Sequence, residues 1–228
     1  MTDLPSDPRQ QRLGVAYGLA AYLSWGILPL YFKAVESVPT LEVLAHRVVW
    51  SLVFLVVVTT VRRRWAGFRP LFRSRRIQLT LMVTTVLIAT NWGVFIWAVA
   101  NGQLVEASLG YFITPLVSLL LGFIFLKERL RRLQTVAVVL AVMGIVWMTA
   151  RHGHPPLISM ILAFSFGFYG LLRKQVPATG VQGLTAETLI LTPVAAGWLI
   201  WRARMGELVF LHTTPEMNVL LLAAGVLT

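Results

Sequence analysis

Cysteine is absent from the 228 residues. That excludes disulfide scaffolds, thiolate metal sites, iron–sulfur clusters and cysteine nucleophiles. Charge is scarce too. Asp, Glu, Lys and Arg together supply 13% of the chain, about half the share in an average soluble domain. Acidic side chains are the rarest of these, nine against twenty Lys and Arg, for a net charge of +11. No polar stretch is long enough for a soluble domain. What remains is apolar: 57% hydrophobic residues with eight Trp and twelve Phe, and a mean hydropathy of +0.75. So little charge cannot cover that much apolar surface in water, and the same composition excludes intrinsic disorder. The fitting solvent is a bilayer.

Catalytic signatures are missing as well. The chain holds no Gly-x-Ser-x-Gly elbow, Walker-type phosphate loop or His-Glu-x-x-His pair. A membrane-embedded enzyme would need a nucleophile or metal cluster at membrane depth, and none is evident. We therefore expect no enzyme and no cofactor, and no transport driven by ATP bound to this chain. His152 and His154 flank a glycine but have no third ligand near them in sequence, so no metal site is expected.

A spanning helix needs about 20 mostly apolar residues. Seven runs qualify, at 13–35, 41–61, 77–100, 104–126, 132–150, 156–174 and 183–202, joined by short loops. Residues 1–12 are polar and form a tail. The first apolar run, 13–32, is uncharged and too long for a signal core, so it reads as a retained span. Residues 217–228 are a further apolar run, about 18 Å as a helix, and we expect the chain to stop inside a span there.

The basic residues alternate from loop to loop. Segments on one side hold Arg9 and Arg12, the seven arginines Arg62, Arg63, Arg64, Arg69, Arg73, Arg75 and Arg76, then Lys127, Arg129, Arg131 and Arg132, then Arg173 and Lys174. The opposite segments hold only Lys33, Arg151, Arg202 and Arg204. Positive charge is retained on the cytoplasmic side, which places the N-terminus in the cytoplasm of a multi-pass plasma (inner) membrane protein. The arginine loop 62–76 also carries Trp65, Phe68 and Phe72. Arginines interleaved with aromatics can bind nucleic acid, but beside a membrane the nearer partner is anionic lipid. No nucleic-acid partner is expected; a homo-oligomer is left open.

Ser24-Trp25-Gly26 with Lys33 matches Ser165-Phe166-Gly167 with Lys174, and Glu42 enters span two as Glu187 enters span seven. Five spans separate the copies, so the second is inverted. Inverted repeats point to a transporter with alternating access.

His46-Arg47, Asn91-Trp92, the run from Glu106 through Gly110, Tyr111 and Thr114 to Pro115, and Phe125-Leu126-Lys127-Glu128-Arg129-Leu130 together resemble the RarD-type branch of the EamA drug/metabolite transporter superfamily, whose members are often labelled chloramphenicol-sensitivity proteins. The resemblance runs from residue 13 onward. It implies an all-α integral membrane bundle of ten helices in two inverted five-helix repeats. This chain would supply about seven and a half of them: the first repeat at 13–150 and an incomplete second at 156–228. It also implies secondary transport of a small metabolite or drug, as exporter or permease. The alternative is a non-transporting membrane scaffold or truncated relic.

Within that frame several side chains are candidates. Arg47 lies about 9 Å inside span two; an ionisable group there faces a cavity and binds solute, or snorkels to the headgroups. Asn91 needs partners in hydrocarbon, from a solute or from another helix. Trp25 and Tyr111, nearer mid-depth, are expected to contact the solute, with Trp92, Trp97 and Tyr169 as further aromatics. Glu106 is expected to pair with Arg47, as an outer gate or a structural bridge. His46 suits proton coupling or packing. Pro115, like Pro29 and Pro193, breaks the hydrogen bonding of its helix and serves as hinge or static kink. Gly14 and Gly18 form a GxxxG pair expected to pack within the bundle. Glu128 is expected in a structural ion pair or as a helix cap.

Overall fold

A computed structural model describes residues 8–68, 71, 74–153 and 155–227. The apolar runs become helices: α1 (Pro8–Ala34), α2 (Thr40–Val61), α3 (Arg75–Ala100), α4 (Leu104–Leu126), α5 (Arg132–His152), α6 (Leu157–Arg173), α7 (Gly180–Arg204) and α8 (Pro215–Leu227). A 3-10 turn, Trp65–Phe68, lies in the α2–α3 linker. No strand occurs among the described residues. Six helices are long and apolar enough to cross a membrane. This differs from the seven runs in the sequence because α6 has only 17 residues, about 26 Å at helical rise; α8 has 13.

Local chemistry sets the ends. Thr179 and Gln182 form a capping box at the start of α7, with Gln182 Oε1 accepting from Thr179 N at 3.0 Å and Thr179 Oγ1 from Gln182 N at 3.3 Å. Gly153 closes α5 at φ 75°, where the missing Cβ makes the left-handed turn cheap. Pro29, Pro115 and Pro193 all remain inside continuous helices.

The α1–α2, α3–α4, α5–α6 and α7–α8 connections gather at one end of the bundle, where Val209 and Phe210 bond to Glu42, Ser159 bonds to the Glu106 carbonyl, and Val35 and Val99 share a core. The other, arginine-rich end holds the described parts of the remaining linkers, where Phe68 and Leu71 pack on Val176 and Glu128 pairs with Lys174. Small residues bring the helices close. A Cβ on Gly110 of α4 would sit 2.9 Å from Ser159 O and Leu162 Cβ of α6. A Cβ on Gly225 of α8 would fall on the backbone of Trp50 and Ser51 in α2. The main core fills the connection end with Phe32, Val35, Val43, Phe95, Val99, Leu162 and Leu221. Phe68 and Leu71 of the arginine linker turn inward onto Leu81, Val176 and Ala186.

α1 and α5 present their apolar side chains outward. Leu19, Leu23 and Ile27 of α1, and Leu140, Met143 and Trp147 of α5, are all exposed. Surfaces of that size and polarity belong in lipid. The expected packing of Gly14 and Gly18 inside the bundle is not found among the described residues: nothing lies within 4 Å of a Cβ on either, and the described contacts of α1 with the core fall in its second half, at Trp25, Leu28, Tyr31 and Phe32.

Candidate functional site

Arg47 is 7% exposed. Its guanidinium lies 4.1 Å from the ring centroid of Trp92 on α3 and 5.8 Å from that of Phe32 on α1. It does not snorkel. A cation over ring faces is attracted by their quadrupoles, the more so away from water. Helix α2 puts it there because Arg47 stands seven residues in from Thr40, about 10 Å along the axis, on the face that meets α1 and α3.

From Arg47 a chain of ring contacts descends through the bundle. Phe32 meets Phe95 at 5.7 Å, Phe95 meets Tyr111 at 5.4 Å, Tyr111 meets Phe166 at 6.3 Å, and Phe166 meets Tyr169 at 5.8 Å. Trp25 joins at the middle, 6.4 Å from Tyr111 and 6.3 Å from Phe166. Trp25, Asn91 and Phe166 each stand nine residues from the connection end of their helices, about 13–14 Å deep. That is near the centre of a hydrocarbon core of about 30 Å.

Asn91, 1% exposed, is spoken for by the protein. Its Nδ2 donates to Leu162 O and to Ser165 Oγ, each at 3.0 Å. The Tyr111 hydroxyl donates to its Oδ1 at 3.0 Å. One amide thus ties α3 to α4 and α6.

At the lower end of the wall, Tyr169 donates its hydroxyl to Glu187 Oε2 at 3.0 Å. Glu187, 1% exposed, also accepts from Thr84 Oγ1 at 2.7 Å on Oε1. Arg173 Nε lies 3.6 Å from the same oxygen, and its Nη2 donates to Thr179 O at 3.2 Å. The guanidinium lies against Gly183, where any Cβ would collide with it. This latch joins α3, α6 and α7 at the arginine-rich end.

The structure thus gathers Arg47, Trp25, Tyr111 and Asn91 around one wall. The other candidates stand differently. The expected ion pair between Glu106 and Arg47 does not form among the described residues; α4 instead offers the Glu106 carbonyl to Ser159 Oγ at 2.7 Å, and Arg47 is taken up by Trp92 and Phe32. His46, 4% exposed, accepts from Trp50 Nε1 at 3.2 Å on Nδ1 and lies 4.6 Å from the ring of Phe210. Pro115 is exposed, one turn beyond Tyr111. Trp97 is 44% exposed and outside the wall. Glu128 pairs with Lys174 at 4.0 Å, both exposed. Among the described residues no three His, Asp or Glu side chains converge as metal ligands; His154, Arg69, Phe72 and Arg73 lie outside those residues. Arg75 and Arg76 line a surface groove with Leu79, Thr80, Val83 and Leu172.

Sequence reasoning marked Glu42 and Glu187 only as matching positions in two repeats. Both are fully buried carboxylates, and an acid inside an apolar span is itself a functional signal. Phe166 was marked only as the repeat match of Trp25, and Phe32 and Phe95 carried no signal, since phenylalanine is common on every face of such helices.

Comparison with known proteins follows the same line. The model of the EamA-like transporter family matches residues 12–150. A Salmonella typhi protein named Protein RarD is 46% identical over 222 residues, covering 97% of this chain and 76% of that protein. An uncharacterized transporter of Vibrio cholerae is 43% identical over 97% of this chain and 74% of its own length. A Pseudomonas aeruginosa protein named Chloramphenicol-sensitive protein RarD is 36% identical over 82% of this chain and 64% of its own. No solved structure matches the chain.

Proposed function

The chain is a multi-pass membrane protein belonging to the EamA-like transporter family, and from that premise we propose that it is a secondary transporter, not an enzyme, that moves a small solute past the aromatic wall by alternating access. The observation that carries this reading is the buried Arg47 guanidinium, 4.1 Å from the Trp92 ring, at the head of a ring chain that ends on the buried Glu187. A guanidinium away from water recruits an anionic or zwitterionic group. The rings of Phe32, Trp25, Tyr111 and Phe166 suit a flat, partly apolar body. Solutes of that amphipathic kind, with chloramphenicol as one probe on the strength of the Pseudomonas relative's name, are the class to test. Trp25 and Tyr111 contact the solute; Asn91 holds the wall in place and reaches the solute through Tyr111.

Alternating access is supported by the repeat. Trp25 and Phe166, matching residues of the two segments, touch across the centre. Helix α2 packs on α8 as α3 packs on α7, which is the same contact if α1–α3 correspond to α6–α8. The latch around Glu187 closes the arginine-rich end, and Pro115 beside the wall is the hinge. With the N-terminus cytoplasmic, that end faces the cytoplasm of a plasma membrane. The groove at Arg75 and Arg76 suits an anionic lipid headgroup with an acyl chain along Leu79, Val83 and Leu172.

The test is accumulation of chloramphenicol and of a panel of anionic and zwitterionic metabolites in cells carrying the protein or Arg47→Ala at matched membrane abundance. A solute whose level follows the parent and not the variant supports the reading. No movement of any solute by a folded, membrane-inserted parent overturns it.

A further inference from the structure

Two buried polar atoms on successive turns of α2 lack a hydrogen-bond partner among the described residues: Glu42 Oε2 and His46 Nε2. Glu42 is 0% exposed. Its other oxygen, Oε1, accepts from the backbone N–H of Val209 and of Phe210, each at 2.9 Å. One carboxylate oxygen therefore holds the α7–α8 connection, and the second is unused. His46, four residues on, stands on the same helix face. Because its Nδ1 accepts from Trp50, the neutral ring carries its hydrogen on Nε2. Its ring is set 4.6 Å from that of Phe210. Phe210 is thus gripped through its amide by Glu42 and through its ring by His46.

Buried polar atoms without partners are rare and call for a reason, and within a membrane span such ionisable groups mark ion or proton routes. A metal ion does not fit: hard cations take six or more oxygen ligands, and one free carboxylate oxygen beside an imidazole is a poor set. A proton needs one.

We propose that Glu42 is a proton-binding site at the α7–α8 connection. This rests on the transport reading above and names the ion that such transport would use. A proton from the water at the connection end adds to Oε2, forming one O–H bond and discharging the carboxylate. It leaves by the same oxygen to water. The charged form accepts the Val209 and Phe210 amides in charge-assisted bonds, which are about twice as strong as neutral ones. Protonation therefore slackens the hold of α2 on the α7–α8 connection.

The other ionisable groups around this site have their own engagements. On α1 the Tyr31 hydroxyl donates to Leu220 O, and Lys33 pairs with Glu36. On α2 Arg47 lies against Trp92. The connection-end half of α3 carries no ionisable side chain. On α7 Arg202 pairs with Glu207, and Arg204 is exposed. His212 lies 3.2 Å from Phe210 O, and Glu216 on α8 is exposed.

The test is amide hydrogen exchange of Val209 and Phe210 in the full chain in lipid nanodiscs across a pH series, corrected for intrinsic exchange. The parent is expected to show a step to at least tenfold faster exchange on acidification. Glu42→Gln is expected to exchange fast at every pH, without the step. Glu42→Asp, which keeps the charge and guards against a misfolded Gln variant, is expected to retain a step, as is His46→Asn. A parent with no step overturns the proposal. So does a step that survives Glu42→Gln, or one that vanishes in His212→Asn or His46→Asn while Glu42 is intact. No solute is needed, so a step in a protein that moves no solute counts against the transport reading alone.

Discussion

The Tyr111 hydroxyl donates to Asn91 Oδ1 at 3.0 Å, and the same amide donates to Leu162 O and Ser165 Oγ. Three helices meet on one side chain near mid-membrane. Asn91→Leu removes all three bonds at a buried site. Interhelical hydrogen bonds in membranes are worth about 0.6 kcal/mol on average and up to about 2. Asn91→Leu should therefore cost roughly 2 kcal/mol and Tyr111→Phe less than half of that. Thermal unfolding in nanodiscs reads the difference. If both variants melt with the parent, the amide is not a structural tie, and its place is to be sought in direct solute contact.

The Glu187 latch makes a different prediction. Its ion pair with Arg173 is nearly buried, with side-chain exposures of 12% and 1%. Removing one partner of a buried pair leaves an uncompensated charge and costs about 3–5 kcal/mol. Arg173→Met should therefore destabilise strongly. Arg173→Met with Glu187→Gln should recover part of that loss, because Thr84 and Tyr169 can still bond a neutral amide. A double-mutant cycle measures the coupling; additive losses would mean that Arg173 acts through Thr179 and Gly183 rather than through Glu187.

Close approach gives a third. At Gly110 a Cβ would press on Ser159 O and Leu162 Cβ at 2.9 Å, and a carbonyl of the facing helix cannot step aside as a flexible side chain can. Gly110→Ala should cost about 1–3 kcal/mol, as overpacking does. Gly144→Ala on α5, with nothing within 4 Å, should be neutral or gain up to about 1 kcal/mol from helix propensity. Equal melting temperatures for the two variants would contradict the α4–α6 contact.

The helices were legible in the sequence because hydrocarbon leaves the backbone few options: each run of apolar residues closes its own hydrogen bonds, and the structure moves most boundaries by only a few residues. Arg47 was legible because a charge in such a run is conspicuous. Its partners were not. Glu106 had the complementary charge and a comparable depth, yet Arg47 lies against Trp92 and Phe32. Which face a residue takes depends on how its helix is turned about its own axis, and packing sets that rotation. Glu187 was in plain sight but read only as the beginning of a span; its worth lies in Thr84 of α3 and in Tyr169 and Arg173 of α6, two helices that its own sequence neighbours do not reveal. The silent GxxxG pair of α1 has the same cause: spacing shows that two glycines share a face, not what that face meets.

Orientation rests on the arginine asymmetry and is open to direct test, since the chain has no cysteine to remove. Ser37 and Met205 are exposed in connections at one end of the bundle, Ala66 and Gln175 in linkers at the other. Each can carry a single cysteine without altering the basic residues that set topology. With the N-terminus cytoplasmic, Ser37→Cys and Met205→Cys should react with a membrane-impermeant maleimide on intact cells. Ala66→Cys and Gln175→Cys should react only after the membrane is opened. The four sites fall in four different connections, so they also test the fold: α2 and α7 must each carry the chain across, and the four helices α3–α6 must together return it to the same side. α6 is the demanding case, because its 17 residues reach only about 26 Å. Labelling of Gln175→Cys on intact cells, with Ala66→Cys protected, would mean that an odd number of the four helices α3–α6 cross, with α6 the shortest of them and the first to examine. The Glu187 latch would then stand on the same side as the α1–α2 turn, and the path from Arg47 to Glu187 would no longer run from one side of the membrane to the other.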